Sequence, residues 1–331
     1  MRLEEIGEFG LIARLRQREA KQREGVVIGI GDDAAALESP KDALLLFTTD
    51  TLVEDVHFRR RWMTWADLGW KSVVHNVSDI AAMGGEPTFG LVTLALPKDV
   101  QVEDIDAIYD GIDEASAEYG CSVTGGDVVR SPGPMSITIS LLGRVARDHL
   151  MRRSGAQAGD LIMVTGGLGA AAAGLIALDR GLSGPTFALA LAAQRRPRAR
   201  LREGRALAAS GAVTALIDIS DGLAGDLARI CEESQAGARV DLASVPVAEG
   251  CHTSCEHLGV DDCLELTLTG GEDFEMLFTV PPGSAGVAHR ALTAVGGRAF
   301  PIGTIMPAEA GIVGVTKEGR AEPLGGAFEH F

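Results

Sequence analysis

The residues able to do chemistry in this chain are carboxylates that follow apolar runs. Asp32 and Asp33 come after residues 26–30, Asp50 after 43–47, Asp127 after 121–124, Asp218 and Asp221 after 212–217, and Glu272 and Asp273 after 264–269. Asp79 stands near the end of a helical pattern. Most have small or hydroxyl neighbours: Gly31, then Thr48, Thr49 and Thr51 around Asp50, Gly125-Gly126, Ser220, and Gly270-Gly271. One such ending is ordinarily a turn. Five strand ends and one helix end in a single chain point instead to a shared site. Carboxylates gathered at one place repel, so they need cations. Oxygen donors with few histidines favour Mg²⁺ over zinc. Several Mg²⁺ ions imply a highly anionic ligand, for which a nucleoside triphosphate is the obvious candidate. There is no G-x-x-x-x-G-K-[ST] loop and no protein-kinase loop set, so ATP use would be of another class, with metals in the role of the P-loop lysine.

These acids must be positioned by an α/β framework. The apolar run 43–47 reads as a short buried strand that breaks at Thr48. Residues 26–30, 88–96, 121–124 and 136–145 read as further strands, 65–83 and 102–119 as helices, and 3–18 as an amphipathic helix. Lys71, His75 and Asp79 are spaced to share one helix face, where a surface network is the plain alternative to a site. Asp79 also lies where the helix dipole disfavours a carboxylate, which suggests a compensating cation. A second unit begins near Asp148, with strands at 160–165, 212–217, 264–269 and 274–280 and a helix at 286–295. Gly167, Gly169 and Ala172 imitate a dinucleotide fingerprint, but no second strand ends in an acid about 20 residues on, so a plain strand-to-helix turn is the better reading. The arginine-rich stretch 194–204 reads as a solvated loop and helix start.

Bulk composition sets the outer limits. The 331 residues suffice for two domains, and 46% hydrophobic content can build substantial cores. A net charge of -16 argues against nucleic acid as a partner. No apolar run is long enough to span a bilayer. Five cysteines, an odd count, and the lack of a signal peptide suggest a reducing cytoplasm. Cys251, His252, Cys255, His257 and Cys263 cluster locally, but their spacing fits no standard zinc pattern.

At the acidic motifs the sequence resembles the thiamine-monophosphate kinase family, of the superfamily typified by aminoimidazole ribonucleotide synthetase. The matching stretches are GIGDDAA (29–35), TTDTLVEDVHF (48–58), NVSDIAAMG (76–84), GGD (125–127), RSGAQAGD (153–160), DISDGL (218–223) and GGEDFEMLFTV (270–280). Each alone is weak; the ordered set is specific and covers nearly the whole chain. The resemblance implies an α/β (α+β) two-domain fold, with a β-rich dimerising domain over 1–147 and an α/β domain over 148–331 that completes the active site. It implies ATP-dependent phosphorylation of thiamine monophosphate to thiamine diphosphate by a homodimer. Carried over by position, Asp33, Thr48, Thr49, Asp50, Asp79, Asp127, Asp218 and Asp221 would serve several Mg²⁺ ions. Tyr109, Gly126, Asp127, Arg153 and Ser220 would contact ATP; His57, Glu272 and, from the tail, Phe328 would contact the substrate. Asp55 gains no role and is expected to be a turn residue.

The rivals are another ATP-using enzyme of the superfamily and a non-catalytic nucleotide-binding regulator. A selenophosphate synthetase needs a reactive residue in an N-terminal Gly-rich loop, and no Cys precedes Cys121; a hydrogenase-maturation carbamoyl dehydratase needs a C-terminal Cys, and this chain ends in Phe331. A regulator would be expected to have lost some of the acids, which are all present.

Overall fold

The computed structural model describes residues 26–28, 32–39, 43–259 and 263–326. The expected helix over 3–18 and the aromatic Phe328 lie outside the described residues.

The first half is a six-stranded sheet covered on one face by two helices. Its elements are β1 (Val26–Ile28), β2 (Ala35–Glu38), β3 (Ala43–Val53), α1 (Trp65–Ala82), β4 (Glu86–Leu96), α2 (Val102–Tyr119), β5 (Ser122–Arg130) and β6 (Ser136–Ala146). The strand order is β1-β2-β3-β6-β4-β5, antiparallel except for β4 beside β5. Strand alternation sends Leu44, Leu46, Leu52, Val92, Leu94, Ile137, Ile139 and Leu141 to one face, where they meet Val73, Val74, Val77 and Ile80 of α1. A Thr64–Asp67 capping box starts α1. The helix pair is close: a Cβ on Gly69 would lie 1.9 Å from the Ile108 carbonyl oxygen, so only glycine lets α2 approach there. The other face of the sheet is open and carries apolar side chains, among them Phe47, Phe89, Leu91 and Val129.

Two expectations about this sheet need correction. The run 43–47 is not a buried strand that stops before the acid. It belongs to an eleven-residue strand that alternates buried and exposed and continues through Thr48, Thr49 and Asp50 to Val53. Likewise β5 does not end at Gly125-Gly126-Asp127 but runs on to Arg130. Thr and Asp are tolerated mid-strand because the odd-numbered positions of β3 leave the core and Asp50 faces a cavity.

The second half is a seven-stranded sheet with helices packed around it. It contains β7 (Leu161–Val164), α3 (Ala170–Asp179), α4 (Ala188–Arg195), α5 (Leu201–Ser210), β8 (Ala215–Asp218), α6 (Leu223–Ser234), β9 (Ala236–Asp241), α7 (Glu249–Leu258), α8 (Cys263–Thr269), β10 (Met276–Val280), α9 (Ala285–Ala294), β11 (Phe300–Pro307), β12 (Ile312–Val315) and β13 (Ala321–Pro323). The order is β13-β12-β9-β11-β7-β10-β8, and only β12 and β9 are parallel. Ile162, Val164, Ile217 and Leu277 pack under Leu223, Leu227 and Ile230 of α6.

Residues 264–269, expected as a strand, form the helix α8. Leu264, Leu266 and Leu268 alternate as a strand would, but tertiary packing decides. Leu264 and Leu268 share one helical face against the α6 core, while Leu266 turns to the cluster around Cys251 and Cys255. The arginine-rich stretch is a loop and helix start, as expected, with Arg198 and Arg202 exposed, but it is solvated only in part. Arg200 Nε donates to buried Glu275 at 2.8 Å, and Arg195 Nε donates to the Trp62 carbonyl at 2.5 Å.

Helix α1 joins the halves. Its Ala81 and Ala82 pack with Leu207, Leu216 and Met276 of the second half. A Cβ on Gly204 would lie 2.3 Å from the Ala81 carbonyl oxygen, which shows how tightly α5 is seated. The polar face of α1 therefore lies between the two sheets.

Candidate active site

Three elements bring carboxylates together at one end of α1. Asp33 precedes β2, Asp79 lies on the last turn of α1, and Asp218 ends β8. One carboxylate oxygen from each lies within 4.8 Å of the others. Thr48 donates its hydroxyl to Asp79 Oδ2, and Ser78 donates to Asp218 Oδ2. Asp50, two residues along β3 from Thr48, also meets the Asp79 carboxyl. Burial pushes the Asp79 carboxyl well above the usual carboxylate range, and the charges of Asp50, Asp218 and Asp33 push the same way. Asp218 is likewise raised by burial and by Asp33. Burial raises Asp50 as well, against the pull of His75 and the hydrogen bond with Asp79. Such a set is not stable as four anions; it suits oxygen-preferring divalent cations.

Arg153 is the cation already paired with this group. Its Nη2 lies 2.8 Å from Asp33 Oδ1 and its Nε 3.2 Å from Asp33 Oδ2, a bidentate pair. Its backbone N–H donates to Asp32 Oδ1 at 3.3 Å. Burial and the charge of Asp33 still raise Asp32 to about 7.

The acids open onto a cavity of about 610 Å³ whose lining includes Asp50, His57, Asp79, Asp218, Ser220, Asp221 and Glu272. The walls also offer apolar surface from Val56, Leu175 and Ile176. His57 Nδ1 accepts from the Val53 N–H at 3.0 Å, so the neutral ring carries its proton on Nε2. Asp55, with φ 68 and an exposed 3.6 Å pair to Arg59, is a turn residue, as expected.

The Asp218–Gly222 loop is fixed from behind by a residue the sequence reading passed over. Asp226 Oδ2 accepts the backbone N–H groups of Ser220 and Asp221 at 3.0 and 3.1 Å. The Gly270–Asp273 loop is tied to it: Glu272 N–H donates to the Ser220 carbonyl at 2.8 Å and Phe274 N–H to that of Ile219 at 2.9 Å. A Cβ on Gly271 would lie 2.3 Å from the Ser220 carbonyl oxygen, which explains the glycine. Glu272 and Phe274 have φ of 69 and 49, left-handed values that bulky side chains adopt only where surroundings force them.

Glu272 is held by the α1 face identified from spacing. Lys71 Nζ is 2.8 Å and His75 Nε2 3.4 Å from Glu272 Oε1, and Gln194 Nε2 donates to Oε2 at 2.6 Å. Burial alone would raise this carboxyl, but the Lys71 ammonium and His75 outweigh it and hold it far below the usual range. The surface network that was the alternative reading of Lys71, His75 and Asp79 is not what forms: Lys71 and His75 meet Glu272 in the interior, and Gln194, assigned from sequence to a loop, joins them. Nothing in the local sequence marked Gln194; it is recruited by the fold of α4 onto α1.

The remaining expected residues lie apart from the cavity. Thr49 alternates to the open face of the first sheet, where its hydroxyl bonds Ser140 Oγ at 3.0 Å and the Ile139 carbonyl at 3.1 Å. Gly126 and Asp127 sit mid-strand on β5. Asp127 shares the open face with Thr51, in the row Thr51–Thr138–Thr93–Asp127, about 14 Å away across three strand spacings. Tyr109 packs half-buried against the first core.

Comparison with known proteins identifies the family. Residues 31–145 match the family model for the AIR synthase related protein, N-terminal domain, and residues 157–316 that for its C-terminal domain. The thiamine-monophosphate kinase of Escherichia coli K12 is 38% identical over 293 residues, covering 88% of this chain and 87% of the relative. That of Synechococcus elongatus is 36% identical over 339 residues, covering 99% and 98%. A solved structure described as AaThiL complexed with AMPPCP and TMP superposes with a TM-score of 0.88 at 32% identity, covering 100% of this chain and 99% of that one. The chain belongs to the AIR synthase related family and, within it, to the thiamine-monophosphate kinases.

Proposed function

We propose that this chain transfers the γ-phosphoryl group of ATP to the phosphate of thiamine monophosphate, giving thiamine diphosphate and ADP. The observation that carries the reading is the meeting of Asp50, Asp79 and Asp218, from three separate elements, with His57 and Glu272 around one cavity. The family relationship adds the substrate: relatives are named thiamine-monophosphate kinases, and one neighbouring structure carries AMPPCP and TMP.

The acceptor is a phosphate monoester with a second pKa of about 6, mostly dianionic at neutral pH. It needs no general base, so no catalytic residue of that kind is assigned, and transfer is direct and in line. Asp33, Thr48, Asp50, Asp79, Asp218 and Asp221 are the residues that would hold Mg²⁺. When bound, Mg²⁺ neutralises the phosphate charges that otherwise keep donor and acceptor apart. Ser220 and Arg153 serve the nucleotide phosphates. His57 offers its Nε2–H to the substrate phosphate, and Val56, Leu175 and Ile176 supply apolar contact for the vitamin's rings. Glu272, oriented by Lys71 and Gln194, defines the far wall against which the substrate is seated; Phe328, outside the described residues, is the tail residue proposed to contact the substrate.

The functional unit in this reading is a homodimer formed through the open face of the first sheet, within a domain ending near residue 147. Exposed apolar residues there, Phe89 at 57% and Leu91 at 51% among them, form the kind of patch that a second copy covers. Thr49 and Asp127 stand on that same face, so their metal roles belong to the assembled dimer; Gly126, beside Asp127 on β5, and Tyr109, on α2, keep their roles toward ATP in this reading. A cytoplasmic setting completes the reading, supported by five thiol cysteines. No helix among the described residues is long and apolar enough to cross a membrane.

The test is a product assay with ATP and Mg²⁺, offering thiamine monophosphate, thiamine and pyrimidine monophosphates in parallel. Thiamine diphosphate from the monophosphate alone is expected. Turnover of thiamine but not its monophosphate overturns the substrate assignment, and nucleotide binding without any product favours the regulator.

A further inference from the structure

Three of the five cysteines gather behind the active-site wall. Cys251 and Cys255 are one turn apart on α7, and Cys263 opens α8. Their sulfurs all lie within 4.8 Å of one another, and Cys251 Sγ is 3.7 Å from Cys255 Sγ. Cys251 and Cys255 are buried and Cys263 is half-buried, so the cluster has one side toward solvent. None is in a disulfide. His252 and His257, adjacent in sequence, are exposed and outside the group; His257 instead packs edge-on against Phe187.

The spacing matches a metal site. With metal–sulfur bonds of about 2.3 Å, two thiolates on a tetrahedral ion stand about 3.8 Å apart, and on a trigonal one about 4.0 Å. Cys251 and Cys255 already have that separation, and Cys263 needs only a small inward shift. Burial first, and then the neighbouring Cys255 and Cys263, drive the Cys251 thiol well above its ordinary range, so without a cation it keeps its proton. Soft sulfur donors select closed-shell thiophilic ions over Mg²⁺.

We propose that Cys251, Cys255 and Cys263 form a three-thiolate site for a soft d¹⁰ metal ion, Zn²⁺ or Cu⁺, distinct from the oxygen-lined site of the cavity. Each thiol that binds gives its proton to solvent, and the exposed side at Cys263 leaves room for a water as the fourth ligand of Zn²⁺. The ion fastens α7 to the start of α8, the helix that leads directly into Gly270–Asp273. The cluster also touches the support of that loop: a Cβ on Gly169 would lie 3.0 Å from Cys251 Sγ, and the Gly169 N–H donates to Asp273 Oδ2 at 2.6 Å. A filled thiolate site would therefore stiffen the segment presenting Glu272.

The experiment uses full-length protein, reduced and stripped with a chelator, then titrated with Co²⁺, Zn²⁺ or Cu⁺ under anaerobic conditions. We expect one ion per chain by mass spectrometry, a thiolate-to-Co²⁺ charge-transfer band, and a rise in Tm with Zn²⁺ that persists in excess Mg²⁺. Preference between Zn²⁺ and Cu⁺ in competition assigns the ion. Cys255→Ser and Cys263→Ser each weaken binding by at least about 100-fold, whereas Cys121→Ser, at a distant thiol, leaves it unchanged. Reduced wild-type protein that binds no ion at micromolar metal overturns the proposal without recourse to any variant. So does undiminished binding by folded Cys255→Ser.

Discussion

Lys71 Nζ stands 2.8 Å from Glu272 Oε1, and the lysine side chain is fully buried. One residue lies on the helix of the first half and the other on the loop that closes the second, so this ion pair couples the halves at the substrate wall. Removing one partner leaves a buried charge uncompensated, which costs about 3–5 kcal/mol. Lys71→Met is therefore expected to lose about that much stability in urea unfolding. The double variant Lys71→Met/Glu272→Gln should recover a substantial part of it, because no unpaired charge remains. Additive losses in the two single variants would show that the pair is not coupled.

Asp79 gives a prediction with opposite signs for stability and activity. Its carboxyl is crowded by burial and by Asp50, Asp218 and Asp33. In chelator, Asp79→Asn should raise Tm, since it removes one member of a repelling set. Wild-type protein should gain Tm on adding Mg²⁺, and the variant should gain much less. Turnover should fall by at least about 100-fold. A variant that loses stability in chelator and keeps its activity would remove Asp79 from the metal set.

Asp273 carries a pH signature. Burial raises its carboxyl from 3.8 to about 7, against the N–H groups of Gly169 and Ala171 that favour the anion. A folded pKa above the unfolded one means the native state holds the proton more tightly. The contribution to stability is thus complete below pH 3.8 and is lost as pH rises toward 7, with a slope of up to about 1.4 kcal/mol per pH unit. Asp273→Asn should flatten the stability profile across that window while retaining an acceptor for the α3 cap. An unchanged slope in the variant would show that Asp273 titrates normally.

What the sequence disclosed follows from how local each signal was. The helix over 102–119 was legible to the residue because its periodicity and its Gly120 C-cap agree, and α1 was legible nearly to the residue. The acids Asp50, Asp79, Asp218 and Asp221 were legible as a set because hydroxyl and glycine neighbours repeat at each. Their cause was misread for Asp50, which lies mid-strand with its neighbours Thr48 and Thr49 on opposite faces. That split is a property of strand pairing, which residue types alone do not show. Gln194 was missed because its partners Lys71 and Glu272 are supplied by tertiary contacts, whereas Asp226 caps N–H groups six and five residues before it, and only the loop's backbone path turns them toward its carboxylate. The segment 264–269 was misread because six residues with alternating leucines fit either period.

The dimer reading has its own test. Phe89→Asp places a charge on the open sheet face, at a residue 57% exposed in the single chain. Light scattering should find wild-type dimers and variant monomers, with activity lost alongside assembly. A wild-type monomer with full turnover would contradict it.

Transfer of a phosphoryl group from ATP onto the phosphate of thiamine monophosphate can be followed atom by atom. The most direct measurement follows label from γ-³²P ATP in a reaction containing Mg²⁺ and thiamine monophosphate. Label is expected in the terminal phosphate of thiamine diphosphate, one for each ADP formed. Label released as inorganic phosphate, or ADP formed without thiamine diphosphate, would contradict it.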